Sequence, residues 1–221
     1  DVSRGDDVER LAQRTVDAFG AVHLLFNNAG VAAGGLVWEH TVKDWEWVLG
    51  VNLWGVIHGV RTFVPIMLAQ GDDCHVVNTA SVAGLLSPQM MGIYNVSKHG
   101  VVTLTETLYQ DLRVTGSRVG VSLLCPAFVP TGIAQSHRNR PAELRDAAAP
   151  TASMLASQKA SEKAVSSGRI SAVEVAQATF DAIRGNRFYV ITHPRILASV
   201  ELRLQDVVAQ RNPSDPFSFK P

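Results

Sequence analysis

The 221-residue sequence has no excess of either charge and very little cysteine. Twenty lysine and arginine residues balance twenty aspartate and glutamate residues, so the formal net charge is zero. This balance gives no electrostatic reason to expect nucleic acid or an anionic membrane as a partner. The two cysteines, Cys74 and Cys125, lie far apart and predict small buried thiols rather than a disulfide. Because unpaired thiols suit a reducing compartment, we predict a cytoplasmic protein.

Long uninterrupted apolar runs and metal-ligand clusters are also lacking. The longest apolar region, residues 48–68, is interrupted by Asn52, His58, Arg61 and Pro65. It is therefore too polar for a membrane span and predicts a buried helix. The sequence shows no charged-then-apolar leader, and its histidines have no metal-ligand grouping, so neither secretion nor a metal site is expected.

Helix and strand patterns alternate along the chain. Apolar spacing and capping pairs, such as Thr41 with Asp44 and Ser171 with Glu174, mark the helix starts. The predicted helices span residues 8–19, 41–70, 91–115 and 171–183, and the predicted strands span 22–27, 75–81, 119–125 and 188–192. Strands separated by long helices require right-handed crossovers. The pattern therefore predicts one α/β domain, a doubly wound parallel sheet.

Residues 131–168 carry no clear periodicity and are rich in alanine, serine and basic residues. A stretch this long without a pattern is typical of a mobile functional loop. The basic run at residues 137–140 is expected to be a solvated part of it.

A tyrosine and a lysine four residues apart, Tyr94 and Lys98, stand in the sequence YNVSK near the start of the third long helix. This spacing places both side chains on one helix face. A free phenol titrates near pH 10, too high for a general base at neutral pH. A neighbouring ammonium favours the phenolate, so the pair is a candidate acid/base site.

Polar or turn-forming residues stand at the ends of the predicted strands or interrupt the helix between them. They are Asn28 and its neighbours in NNAG, Asn52 in VNLWG, Ser81 in NTAS, and residues 126–131 (PAFVPT). Ligands of parallel sheets bind where the strands end. We therefore expect these residues to surround one site.

The ordered set NNAG, VNLWG, NTAS, YNVSK and PAFVPT is similar to the motifs of the short-chain dehydrogenase/reductase family. The resemblance covers residues 1–131, and the later helix and strand follow the family's order. It implies a Rossmann-like oxidoreductase that transfers hydride between NAD or NADP and an alcohol or carbonyl substrate. It also implies a homodimer or homotetramer, without fixing which.

The resemblance implies a role for each matching residue of the catalytic set. Tyr94 would exchange a proton with the substrate oxygen, and Lys98 would lower the Tyr94 pKa and hold the nicotinamide ribose. Ser81 would donate a hydrogen bond to the substrate oxygen, where negative charge grows during reduction. Asn52 would hold a water that links Lys98 to solvent.

The resemblance likewise implies contacts to the cofactor. Asp1 and Val2 look like the pair that touches adenine, and Val129 and Thr131 match the contacts to the nicotinamide carboxamide. The full implied set is Asp1, Val2, Asn28, Ala29, Gly30, Tyr94, Lys98, Pro126, Val129 and Thr131. Ala127 departs from the pattern, because the family usually has glycine after this proline.

The family's opening strand and Gly-rich turn, which hold the pyrophosphate, have no counterpart in this sequence. We expect about 60 residues, with three strands and two helices, to be missing relative to the family pattern. The chain alone is then expected to bind NAD(P) poorly, with residues 22–27 left as an apolar sheet edge. The choice between NAD and NADP is left open.

Two alternatives remain beside an active dehydrogenase. One is a truncated, non-catalytic binding or regulatory relative, and the other is a nucleotide-sugar epimerase or dehydratase. The latter usually carries a larger C-terminal domain, whereas about 90 residues follow Thr131 here. An apolar alcohol or ketone would suit the candidate pocket residues, which are Leu85, Leu86, Met90, Met91, Phe128, Ile133, Met154 and Leu155.

Overall fold

A computed structural model describes residues 1–217, which form a parallel sheet covered by helices on both faces. The helices are α1 (Gly5–Phe19), α2 (Val42–Leu49), α3 (Gly55–Gln70), α4 (Gly92–Val114), α5 (Ala152–Ser166), α6 (Ala172–Arg184) and α7 (Leu197–Val208). The strands are β1 (Leu24–Asn27), β2 (Cys74–Thr79), β3 (Val119–Cys125) and β4 (Tyr189–Ile191). The described strands pair in the order β1-β2-β3-β4, all parallel, which confirms the predicted Rossmann-like α/β class.

Alternating residues of the strands supply two separate cores. Val76 and Val121 pack with apolar residues of α1, α3 and α4 on one face of the sheet. Val77 and Leu124, which point the opposite way, pack against Ala182 of α6. In parallel strands the carboxyl ends meet at one edge of the sheet. Asn27 lies opposite Asn78 there, which brings the turns after β1 and β2 side by side.

The predicted capping pairs and helix ends can be compared with the structure one by one. Thr41 with Asp44 and Ser171 with Glu174 both form complete capping boxes, as predicted. Gly20 ends α1 in the left-handed conformation with φ of 76°. Asp6 and Glu9 also stand at capping-box spacing, but α1 begins after Arg4 and has no side-chain cap.

The predicted helix over residues 41–70 is interrupted by one π-helical turn, Gly50–Trp54, between α2 and α3. Such turns often lie at functional sites, and Asn52 is in the middle of this one. By length and composition, Val42–Gln70 is the one stretch among residues 1–217 that would suffice to cross a membrane. Its residues Phe63, Val64 and Met67 pack instead in the core against the sheet.

Strand β1 is the first strand in the order of the described sheet and is not buried on both faces. Leu25 is buried, but Leu24 and Phe26 are 45% and 43% exposed. Among the described strands β1 pairs only with β2. Both cysteines are buried and unpaired, as predicted.

The weakly patterned residues 131–168 contain short 3-10 helical segments, Gly132–Asn139 and Ala142–Leu144, followed by α5. Ser157 is the one residue of α5 that is fully buried. A helix that buries only one small polar side chain lacks the apolar stripe by which a helix is recognised in a sequence. Mobility of this segment stays a prediction.

Candidate active site

Three of the four predicted catalytic side chains come together at the carboxyl end of β2. Ser81 follows that strand in an extended conformation and caps a short 3-10 turn. Tyr94 and Lys98 lie one turn apart in α4, as their spacing predicted. All three are buried, with exposures of 7%, 8% and 3%.

The Lys98 ammonium anchors α4 to the end of β2. Its Nζ donates a hydrogen bond of 2.9 Å to the carbonyl oxygen of Thr79, and it lies 5.7 Å from the centroid of the Tyr94 ring. Burial lowers the pKa of Lys98 to about 8. An ammonium has three donors, and Thr79 is its one hydrogen-bond acceptor among residues 1–217. Two donors therefore remain for a ligand.

The pKa of the Tyr94 phenol is affected more by burial than by neighbouring groups. Burial raises the pKa of Tyr94, while the hydroxyl of Ser81 acts in the opposite direction. The expected lowering of this pKa by Lys98 stays a prediction, since burial is its largest determinant in the structure. Before a ligand binds, Tyr94 is thus protonated at neutral pH.

Ser81 is held loosely enough to change partners. Its Oγ accepts a hydrogen bond of 3.1 Å from the Ala83 amide and donates one of 3.3 Å to the Pro126 carbonyl. The donated bond is longer than most bonds of this type. A substrate oxygen beside Tyr94 therefore has to replace only the long hydrogen bond from Ser81 to the Pro126 carbonyl.

Asn52 ties the turn after β1 to α4. Its Oδ1 accepts from the Val31 amide at 2.8 Å, and its Nδ2 donates to the Val31 carbonyl at 2.9 Å and to Ser97 Oγ at 3.0 Å. The side chain is fully buried. Ser97 in turn donates to the Tyr94 carbonyl, so Asn52 holds the helix turn that carries the tyrosine. The water that Asn52 is expected to hold between Lys98 and solvent stays a prediction.

Gly30 leaves an opening between Asn52 and Lys98. A Cβ placed on Gly30 would lie 3.6 Å from Asn52 Oδ1 and 3.7 Å from Lys98 Nζ. Both groups therefore face the same small space at the end of the NNAG turn. Because glycine carries no side chain, a ligand can approach the backbone here.

A cleft of about 410 Å³ lies beside this turn. Four of the predicted cofactor contacts line it, namely Asp1, Val2, Ala29 and Gly30. Its other walls come from α2, the adjoining π-helical turn and residues 139–144, and these lining residues include Glu46, Trp47, Val51, Asn139, Pro141 and Leu144. The donors of Lys98, the opening at Gly30 and this cleft together fit an elongated polar ligand such as a dinucleotide.

The remaining predicted contacts lie outside the cleft. Asn28 accepts a hydrogen bond of 3.1 Å from Thr79 Oγ1, and Pro126 is joined to Ser81 and Val82 through its carbonyl. Val129 is half-buried and Thr131 is exposed. Asn27, by contrast, is structural, because its Nδ2 donates to Asn78 across the sheet. For Asn28, Pro126, Val129 and Thr131, contact with a cofactor stays a prediction.

A polar cluster next to the cleft was not predicted from the sequence. Arg140, expected in a solvated loop, has a side chain only 15% exposed and pairs with Asp44 at 2.6 Å and Asp146 at 3.2 Å. Burial raises the pKa of Asp44, but the His40 ring at 3.5 Å, the Thr41 backbone amide and the Arg140 guanidinium outweigh it and hold the pKa well below its usual value. Residues 137–139 are exposed, as expected.

His193 is a second residue that the motifs do not contain. Its Nδ1 accepts a hydrogen bond of 3.3 Å from the amide of Ala127, the position where the family pattern has glycine.

No group of three potential metal ligands occurs among the described residues.

Comparison with protein families and solved structures identifies clear relatives. Residues 1–142 match the family model described as short chain dehydrogenase. The crystal structure of a short-chain dehydrogenase/reductase from Burkholderia phymatum, in complex with NAD, is 61% identical in sequence with a TM-score of 0.97. That match covers 99% of this chain and 78% of the other.

Two curated relatives match along almost the whole chain. The CLA biosynthesis dehydrogenase/reductase of Lactiplantibacillus plantarum is 31% identical over 96% of this chain and 75% of its own length. The C alpha-dehydrogenase of Sphingobium sp. strain SYK-6 is 31% identical over 98% of this chain and 70% of its own length. Since these relatives are named as dehydrogenases or reductases, they do not favour a non-catalytic protein.

Proposed function

The chain belongs to the short-chain dehydrogenase family of oxidoreductases, and on that premise we propose that it transfers hydride between NAD(P) and an alcohol or carbonyl compound. The observation that carries this proposal is the burial of Ser81, Tyr94 and Lys98 around one strand end beside a cleft. NAD(P), when bound, supplies or accepts the hydride. The residues of the chain supply the proton and the polar contacts.

Tyr94 is the proposed acid/base. Because burial raises its pKa, the phenol holds its proton until a substrate oxygen reaches it. In carbonyl reduction Tyr94 gives that proton to the oxygen, and in alcohol oxidation it receives the proton back. Ser81 donates a hydrogen bond to the same oxygen by turning its hydroxyl away from Pro126.

Lys98 and Asn52 support the proton and the cofactor. Lys98 is proposed to hold ribose hydroxyl groups with the two donors that Thr79 leaves available. Its positive charge also favours the phenolate of Tyr94 whenever that proton leaves. Asn52 is proposed to keep a water in the space beside Gly30, which would connect Lys98 to solvent.

The relatives and the sequence support a more specific proposal for the identity of the cofactor and the class of substrate. The Burkholderia phymatum relative is in complex with NAD, which supports NAD for this chain, with NADP as the alternative that a titration decides. The substrate is proposed to be a small, apolar alcohol or ketone. Assembly as a homodimer or homotetramer and a cytoplasmic location are part of the same proposal.

The test is the activity of Tyr94→Phe in the full-length protein with NADH or NADPH and a panel of ketones. We expect turnover to fall at least about 100-fold, because proton transfer contributes about 10²–10⁴-fold. Cofactor binding should persist. Tyr109→Phe is the matched control, since Tyr109 lies in the same helix and only accepts a hydrogen bond from Arg113. Equal turnover in the two variants would contradict the proposed mechanism.

A further inference from the structure

One wall of the cleft is formed by residues 139–146, which we call the strap. Asn139, Pro141 and Leu144 of the strap face Asp1, Val2 and the other lining residues. The strap lies far from β2 in sequence and carries none of the predicted catalytic groups. Its position nevertheless sets the width of the cleft at this end.

Arg140 makes most of the strap's polar contacts. Its Nη1 donates to Asp44 at 2.6 Å, its Nη2 to Asp146 at 3.2 Å, and its Nε to the Leu144 carbonyl at 2.7 Å. The guanidinium also lies 5.2 Å from the centroid of the Trp47 ring. Trp47 itself lines the cleft, so Arg140 covers the outer face of a lining residue.

Further contacts join the strap to the start of α2. Thr41 Oγ1 donates to Asp146 at 2.8 Å, and Lys43 donates to the Arg145 carbonyl at 3.2 Å. Leu144 packs against the buried cluster that contains Trp47 and Val31. The two hydrogen bonds of Thr41 and Lys43 are exposed, whereas the carboxylate of Asp44 is only 8% exposed and already accepts from the Thr41 amide. The pair between Arg140 and Asp44 is therefore the buried centre of the attachment.

The geometry of this attachment suits a device for positioning rather than a binding group. A guanidinium is planar, and three of the five donors of Arg140 meet two carboxylates and a carbonyl beside the Trp47 ring. Neither Asp44 nor Asp146 is among the residues that line the cleft. Arg140 therefore supplies the buried ion pair among the contacts that hold the strap on α2.

We propose that Arg140 is a positioning residue that fixes the strap as a wall of the cofactor cleft and thereby sets the affinity for the dinucleotide. This inference rests on the proposed function, since it assigns the cleft to NAD(P). Arg140 does not touch the reacting atoms. Its loss should weaken cofactor binding and leave the chemical step nearly unchanged.

The experiment compares Arg140→Met with Arg138→Met in the full-length protein. Arg138 is the matched control because it is exposed and donates only to the carbonyls of Gly132 and Gln135. For Arg140→Met we expect the NADH dissociation constant, from a fluorescence titration, to rise about 10-fold, with kcat changed less than about 2-fold. Amide hydrogen exchange at Leu144 and Arg145 should accelerate, because both amides bond within the strap. Arg138→Met should match the unsubstituted protein.

A second variant separates positioning from stability. Removing Arg140 alone leaves the Asp44 carboxylate buried without its partner, which destabilises the fold. In Arg140→Met/Asp44→Asn that charge is gone, so the melting temperature should recover while NADH binding stays weak. Recovery of both would overturn the inference, and so would an unchanged dissociation constant in Arg140→Met. If the unsubstituted protein binds neither NADH nor NADPH, the proposed function fails and the inference fails with it.

Discussion

The ammonium of Lys98 donates a 2.9 Å hydrogen bond to the carbonyl oxygen of Thr79, the last residue of β2. This contact joins the helix that carries Tyr94 to the strand end that precedes Ser81. It also holds a buried charge with one protein acceptor among the described residues. Such an arrangement costs stability, because a buried ammonium is poorly solvated. Such a cost is typical of functional sites, and here the two remaining donors of Lys98 are available to a ligand.

Lys98→Met is predicted to separate activity from stability. Methionine is an unbranched apolar side chain of similar length, so it fills the space without a buried charge. We expect turnover to fall at least about 100-fold, as for loss of an acid/base group. The free energy of unfolding should fall by no more than about 1 kcal/mol, the value of one hydrogen bond, or should rise.

Turnover assays and urea denaturation of the same samples check the Lys98 prediction. Lys159→Met serves as the control, because Lys159 is exposed and lies in α5. A Lys98→Met variant that retained turnover, or one destabilised by several kcal/mol, would show that the lysine is chiefly structural.

Asn52→Leu is predicted to destabilise the protein by roughly 2–5 kcal/mol. The substitution preserves size and shape but removes the three hydrogen bonds that Asn52 makes to Val31 and Ser97. The amide and carbonyl of Val31 would then be buried without partners, and each such group costs about 1–3 kcal/mol. Urea denaturation measures the change, with Gln177→Leu at an exposed position of α6 as the control. Equal stability of the two variants would contradict this account.

Most of the elements and the placement of Tyr94 beside Lys98 were predictable because their causes are local. Tyr94 and Lys98 share a helix face through their spacing, and the Thr41–Asp44 and Ser171–Glu174 capping boxes are formed by neighbours in sequence. Parallel pairing followed from the alternation of strands and helices. Each of these depends on residues a few positions apart, which periodicity and capping patterns detect.

Contacts between distant parts of the chain were not predictable. Arg140 and Asp44 are 96 residues apart, and nothing near Arg140 distinguishes it from Arg138, which is solvated. Helix α5 shows no clear apolar stripe, and the hydroxyls of Ser153 and Ser157 bond it to Leu36 and Met90. The exposure of Phe26 likewise depends on which elements cover β1, which its own sequence does not encode.

His75 is predicted to make stability fall as the pH is lowered. Its Nε2 lies 2.9 Å from Ser122 Oγ, and the one proton of that hydroxyl goes to the Arg187 carbonyl. The ring must therefore donate from Nε2, and a second proton would place a buried charge on Nδ1. Burial accordingly lowers the pKa of His75. The neutral ring is favoured in the folded state, whereas the unfolded chain takes up a proton near pH 6.5.

The sign of the effect follows from that difference. The contribution of His75 is complete above about pH 6.5 and is lost as the pH falls through the lower pKa of the folded state. Its slope is at most about 1.4 kcal/mol per pH unit. Urea denaturation between pH 7.5 and 5 should show a smaller acid loss of stability in His75→Gln than in the unsubstituted protein. An identical pH dependence in the two proteins would exclude His75 as the cause.

Gly34→Ala is predicted to displace α5 from the turn after β1. A Cβ at Gly34 would lie 2.1 Å from Ser157 Oγ and 2.8 Å from the Met90 carbonyl oxygen. Ser157 can rotate, but the Met90 carbonyl is backbone and also accepts the Gly35 amide, so the clash must move the chain. Such overpacking costs about 1–3 kcal/mol. Gly50→Ala is the control, because its Cβ would meet only Ser3 at an ordinary 3.5 Å. We expect thermal denaturation and amide exchange across α5 to report the loss in Gly34→Ala alone, since a helix anchored through serine hydroxyls has few apolar contacts to keep it in place once the turn beneath it moves.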